Sequence, residues 1–139
     1  MQYTSVKMRV PKRKDFLMDI RFYTCEHCHQ IMVALEKKDV PVVCCGEPVS
    51  ELILNSSEGA PEMHMPVYEI QNDKVVAAVG AVAHPMTEEH HIEWIALQTT
   101  SGIQSVRLKP GEKPEAVFPL NDSVEHVYAF CNIHGMWKE

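Results

Sequence analysis

No stretch of this 139-residue chain approaches the ~18–20 uninterrupted apolar residues of a membrane-spanning helix, which excludes an α-helical membrane protein. An excess of positive charge is missing too. Thirteen lysines and arginines face nineteen acids, a formal net charge of −6, and this disfavours a general nucleic-acid binder. No apolar segment of the secretory type opens the chain, so a cytoplasmic protein with reduced thiols is expected. Internal repeats and low-complexity tracts are also absent. What is present is a 45% apolar, 23% charged composition, which suits a folded protein of one domain or two very small ones and excludes global disorder.

Charge and turn residues divide the chain. Residues 1–14 hold Lys7, Arg9, Lys12, Arg13 and Lys14 and no acid, so residues 1–19 read as a basic N-terminal extension. Met18 stands just before Asp19-Ile20-Arg21-Phe22 as a compact start, and residues 1–17 are expected to be dispensable for the chemistry. Residues 20–55 hold four of the five cysteines, and about 35 residues need a staple, metal or disulfide, to fold. The polar, turn-rich stretch 56–61 reads as a linker. Residues 62–139 read as all-β: short apolar or alternating runs at 66–70, 75–82, 92–100, 105–109, 116–120 and 126–130 predict an antiparallel sandwich or barrel, with Gly80 as a bulge.

Cys25-x-x-Cys28 followed by Cys44-Cys45 offers four thiolates, the donor set of tetrahedral zinc or iron. The adjacency of Cys44 and Cys45 is unusual, because neighbouring side chains on an extended strand point to opposite faces. Turning both to one ion must bend the backbone or the coordination angles. A bent all-sulfur shell suits an electron-transferring iron; structural zinc and a disulfide pair remain open readings. His27 and His29 flank the motif and read as exposed, since four sulfurs fill a shell.

The remaining chemistry lies further on. His64, His84, His90, His91, Cys131 and His134 all fall at strand ends or in loops, which a sandwich can gather at one rim. Cys131-Asn132-Ile133-His134 has metal-ligand spacing, and Pro85 favours an extended backbone at His84. His126 lies inside a strand pattern and reads as structural. Zinc is satisfied by four ligands, and blue copper takes fewer histidines. Four imidazoles and a thiolate with one position open suit redox iron, where the thiolate donates electron density to whatever binds opposite.

Taken together, Cys25-x-x-Cys28, Cys44-Cys45, Glu62-Met63-His64-Met65-Pro66, His84-Pro85-Met86, His90 before Ile92-Glu93-Trp94, and Cys131-Asn132-Ile133-His134-Gly135 resemble the desulfoferrodoxins, the two-iron superoxide reductases. The resemblance spans about residues 20–139. It implies a mainly β protein: a small desulforedoxin-like, metal-stapled domain over 20–55, then an immunoglobulin-like antiparallel β-sandwich over 62–139. It implies two non-haem iron ions (Fe2+/Fe3+) per chain, one on Cys25, Cys28, Cys44 and Cys45. The other would take His64, His84, His90 and His134 as equatorial ligands and Cys131 as axial ligand, with Glu62 in the sixth position when oxidised. His90 rather than His91 matches the pattern.

The implied reaction is one-electron reduction of superoxide to hydrogen peroxide with uptake of two protons. The four-cysteine centre would serve as an accessory electron-transfer site, with a rubredoxin-like donor and a homodimeric assembly. One departure stands out. The family usually has a lysine between the glutamate and the histidine, and here that position is Met63. Lys74, Arg107 and Lys109 are the candidates to replace its charge. Two rival readings are a rubredoxin-like electron carrier, which needs no open histidine site, and a zinc-stabilised binding module with no superoxide chemistry.

Overall fold

The computed structural model describes residues 19–55 and 61–139; the side chain of Glu62 lies outside that description. The basic extension, apart from Asp19, and the linker, apart from Pro61, lie outside the described residues as well. Almost everything described is β structure, as the resemblance implied.

The small N-terminal unit is built on a three-stranded antiparallel sheet in the order β2-β1-β5, from β1 (Arg21–Thr24), β2 (Ile31–Ala34) and β5 (Ser50–Glu51). The short apolar run Ile31–Ala34, too short for a period to show, is a strand. Two further two-residue strands, β3 (Val43–Cys44) and β4 (Glu47–Pro48), form a hairpin whose tip is Cys45-Gly46. Both tip residues have positive φ, 52° and 79°, the geometry of a tight two-residue hairpin turn.

A four-residue helix α1 (Pro61–His64) leads into the larger unit. Its sandwich has a three-stranded sheet, β10-β7-β6, and a four-stranded one, β12-β11-β8-β9. The strands are β6 (Pro66–Gln71), β7 (Lys74–Val79), β8 (Ile92–Thr99), β9 (Gly102–Arg107), β10 (Glu115–Pro119), β11 (Val124–Cys131) and β12 (Gly135–Lys138). Sequence reading missed α1 and β12, each too short to show a period. Gly80 is not a bulge within β7: the strand pairs without interruption to Val79, and Gly80 opens the turn after it.

Alternation along β11 sorts the core. Val127, Ala129 and Cys131 face the sandwich interior, with Val75, Val79, Ile95, Leu97 and Phe118. Tyr128 lies in a second core on the outer face, with Phe22 and Ile20 of the small unit, and Phe130 packs against it. The register slips between Phe130↔Trp94 and Cys131↔Ile92. That bulge turns Ile92 back into the interior opposite Cys131 and ends β8 at the sandwich rim.

The second core joins the two units. Phe22 stacks on Trp94 with ring centroids 5.5 Å apart and tilts against Tyr128 at 4.9 Å. Asn55 clips the chain to β12: its Nδ2 donates to the Lys138 carbonyl, 3.1 Å, and its Oδ1 accepts the Lys138 N–H, 2.8 Å. Phe22→Ala would empty a ring-sized space there and is expected to cost about 3 kcal/mol. A chemical-denaturation midpoint unchanged by that substitution would show that the small unit does not lean on the sandwich.

Candidate metal centres

The two clusters predicted from sequence both form. The sulfurs of Cys25, Cys28, Cys44 and Cys45 all lie within 4.8 Å of one another, and none is in a disulfide. Backbone geometry explains how. The Cys25 carbonyl accepts the His29 N–H at 2.8 Å and the Cys25 N–H donates to the Gln30 carbonyl at 3.0 Å, closing the Cys25–Cys28 turn. His29 adopts a left-handed φ of 62° to complete that turn. Cys45 is also left-handed, and this swings its side chain to the side Cys44 faces, so the bend expected at the adjacent pair lies in the backbone.

Cys28 Sγ lies 3.7 Å from Cys44 Sγ. A tetrahedron with metal–sulfur bonds of about 2.3 Å has edges of about 3.8 Å, so this spacing already fits an ion. The N–H groups of Cys28 and His27 pull the Cys25 thiol down to about 6, so it is a thiolate at neutral pH. Cys44 is pushed up to about 12 and Cys45 also rises, each by donating to the Cys25 and Cys28 sulfurs. Four thiolates repel one another unless a cation sits between them, and a dication would release the protons Cys44 and Cys45 otherwise keep. His27 pairs instead with Glu47 at 2.9 Å on the surface.

The second cluster gathers at the sandwich rim. His64 ends α1, His84 follows the turn after β7, His90 closes a loop before β8, and Cys131 and His134 bracket the β11–β12 turn. The four imidazoles form a square. Neighbouring ring centroids are 4.7 Å (His64–His84), 4.6 Å (His84–His90), 5.1 Å (His90–His134) and 4.6 Å (His64–His134). The His64–His90 diagonal is 6.2 Å. Adjacent rings stand at 69–81° to one another and the diagonal pair at 29°, a pinwheel.

Nitrogens point inward. His64 Nε2 and His134 Nδ1 are 3.0 Å apart, and Cys131 Sγ lies 3.8 Å from His134 Nδ1. One donor atom from each of His64, His90, Cys131 and His134 lies within 4.8 Å of the others. His84 stands outside that mutual limit and completes the square through its ring. The Nε2 atoms of His84 and His90 are buried with no hydrogen-bond partner. A buried nitrogen without a partner costs about 1–3 kcal/mol, and a metal ion would remove both orphans at once.

The surroundings prepare these groups for a metal. His84 Nδ1 lies 2.7 Å from the Pro85 carbonyl. A carbonyl only accepts, so Nδ1 carries the proton and Nε2 keeps its lone pair. Burial lowers the His84 pKa to about 4 and lowers that of His90, so both are neutral at physiological pH. Burial raises the Cys131 thiol, opposed by the N–H groups of His134 and Ile133. The His134 N–H donates to Cys131 Sγ at 3.4 Å. His64 stacks on Trp137, with centroids 4.9 Å apart.

Other sequence candidates lie elsewhere. His91 turns away from the square to a cleft of about 980 Å³ between the two units, which His29, Trp94, Arg107 and Lys109 also line. His126 sits on the surface with Nδ1 3.2 Å from the Glu139 carbonyl. Lys74 begins the six-residue β7, whose far end leads to the site, about 17 Å away at ~3.3 Å per residue. Arg107 pairs with Trp94 at the rim end of β8, so it and Lys109 are the nearer cations of the three.

Asn132, next to Cys131, supports the site without belonging to the candidate ligand set. Its Oδ1 accepts the His91 N–H at 2.9 Å and its Nδ2 donates to the Glu89 carbonyl at 3.0 Å, tying the His90 loop to the Cys131 turn. The Thr87 hydroxyl secures that loop from inside, accepting the His90 N–H at 3.1 Å. An amide directly after a candidate ligand was the available signal.

Comparison with known proteins places these clusters in context. The family model described as Desulfoferrodoxin matches residues 56–139. A desulfoferrodoxin of Syntrophotalea carbinolica is 42% identical over 119 residues, covering 86% of this chain and 94% of that one. The desulfoferrodoxin of Nitratidesulfovibrio vulgaris is 41% identical over 116 residues, covering 84% and 92%. The crystal structure of the superoxide reductase from Treponema pallidum superposes with a TM-score of 0.76 at 35% identity, over 87% of this chain and 98% of that one.

Asn132→Ala would remove the two side-chain bonds that tie the His90 loop to the Cys131 turn while leaving every candidate ligand in place. It is expected to weaken metal binding at the histidine cluster about 10–100-fold, the usual effect of losing a group that orients a ligand. Competition against a chromophoric chelator measures this, and undiminished affinity would show that the Thr87 bonds and the backbone bond from Asn132 to His91 suffice.

Proposed function

The chain belongs to the desulfoferrodoxin family, and from that premise we propose that it is a superoxide reductase, converting superoxide to hydrogen peroxide at the histidine–cysteine centre. The observation that carries this reading is the pinwheel of four inward-facing imidazoles beside a buried thiol. His64, His84, His90, His134 and Cys131 are its metal ligands, and Cys25, Cys28, Cys44 and Cys45 hold a second iron ion. An iron ion held by these residues would supply the single electron that superoxide reduction needs, as an Fe2+/Fe3+ couple.

The chain's own groups do the rest. The Pro85 carbonyl keeps His84 in the tautomer that can ligate. The His134 N–H bonded to Cys131 Sγ draws electron density off the sulfur and tunes how strongly the thiolate pushes. Glu62, two residues before His64, is proposed to cap the oxidised centre. The units over 20–55 and 62–139 act as electron store and catalytic domain. A rubredoxin-like donor, a homodimer and a cytoplasmic setting complete the reading.

With Met63 in place of the usual lysine, attraction of an anionic substrate to a chain of net charge −6 falls to Arg107, Lys109 and the metal itself. The rival readings lack support from the histidine cluster: a plain electron carrier has no use for it, and a zinc module does not need a fifth donor.

Product stoichiometry under a controlled superoxide flux tests the proposal. A reductase consumes donor electrons and yields one peroxide per superoxide. Half that yield with no donor consumption would mean dismutation, and no reaction in iron-loaded protein would restore the carrier. On the same assay, Met63→Lys is expected to raise the rate constant by up to about tenfold at low ionic strength, with the gain fading as salt rises. An identical rate at every salt concentration would assign steering to cations already present.

A further inference from the structure

Gly80 stands where β7 leaves the sheet, with φ of +83°. A methyl group on its Cα would lie 2.3 Å from the Val82 carbonyl oxygen, 2.7 Å from the Met63 carbonyl oxygen and 2.9 Å from the Met63 carbonyl carbon. All three are backbone atoms, so no side chain can swing aside. The Gly80 N–H also donates to the Met65 carbonyl at 3.0 Å. Met63 and Met65 flank His64, and Val82 lies two residues before His84. One residue is thus wedged between the segments that carry two adjacent corners of the histidine square, whose rings are 4.7 Å apart.

No other described glycine is placed this way. Gly46, Gly102, Gly111 and Gly135 have nothing within 4 Å of the position a Cβ would take, although Gly46, Gly111 and Gly135 also have positive φ. Those three serve the backbone turn alone, whereas Gly80 serves the turn and the close approach of two carbonyls.

We propose that Gly80 is a positioning residue: the missing side chain sets the distance between His64 and His84 and so the fit of the ion at the histidine–cysteine centre. This rests on the reading that those four histidines and Cys131 share one ion. Relaxing the 2.7 Å contact with the Met63 carbonyl to the 3.4 Å of ordinary packing requires a shift of about 0.7 Å between the two segments, and the 2.3 Å contact with Val82 also bends the turn that leads to His84. Ligand constellations tolerate only about 0.5 Å. The four-cysteine centre lies in the other sheet system and is not touched by this movement, which makes it an internal control.

The test is titration of Co2+ into full-length, metal-free protein, read by absorption. Wild type should take up two ions per chain with separate all-sulfur and nitrogen-rich spectra. Gly80→Ala should fill the four-cysteine centre with an unchanged spectrum while its histidine centre binds tenfold or more weakly with shifted bands. Gly111→Ala bears the same backbone strain without the clash and should match wild type at both centres. Equal losses in both variants, or unchanged binding in Gly80→Ala, would overturn the proposal. Wild type that binds a single ion, at the cysteines only, would overturn the shared-ion reading instead. Should Gly80→Ala not fold, amide exchange of wild type decides: the Gly80 N–H should gain protection when Zn2+ fills the histidine centre and not when it fills the cysteines alone. Protection indifferent to the histidine centre would count against the role.

Discussion

Turning polar ring nitrogens inward without hydrogen-bond partners is unfavourable, and the rim of this sandwich does it at His84 and His90 together. A bound cation reverses the sign of that contribution, and much of the structure around it can be read as preparation. Burial keeps the His84 and His90 imidazoles neutral, the Pro85 carbonyl selects a tautomer, and N–H groups face the Cys131 sulfur. The same features that would destabilise a metal-free rim raise the affinity of a filled one.

The sandwich is suited to carry such a site because its strands end where its connections begin. Alternation on β11 sends Cys131 inward while Phe130 turns out to the small unit, so one strand serves the site and the inter-unit core. The bulge opposite ends β8 in register with Cys131, and Asn132 then ties the incoming His90 loop to that point. Three connections meet there, each held by backbone or short side-chain contacts rather than by long flexible groups. Such supports suit a centre whose ligands must stay within fractions of an ångström.

The small unit obeys a different constraint. Its sheet is too short to bury much, and two things compensate: four sulfurs spaced for one ion and a ring face, Phe22, laid on Trp94 of the sandwich. That stack continues from Trp94 to Phe130 at 5.6 Å, directly before Cys131 in sequence. The two centres are therefore built on elements packed against each other.

Much was legible in the sequence because metal chemistry restricts residue type and spacing. Cysteine pairs and the Cys131–His134 step announce themselves, and the alternating runs place most strands within a few residues. The grouping of His64, His84, His90 and His134, and the choice of His90 over His91, were legible only through the family pattern; residue chemistry alone does not separate the adjacent pair, which the Thr87 loop and Asn132 hold apart in the fold. Gly80 reads as a bulge from sequence because glycine in a strand pattern signals several things, and only the approach of the remote Met63 carbonyl selects among them. Sequence alone thus determined the donor set, because chemistry is carried by residue identity. Tertiary structure alone decided the geometry, because distances between remote segments depend on packing that no local pattern encodes.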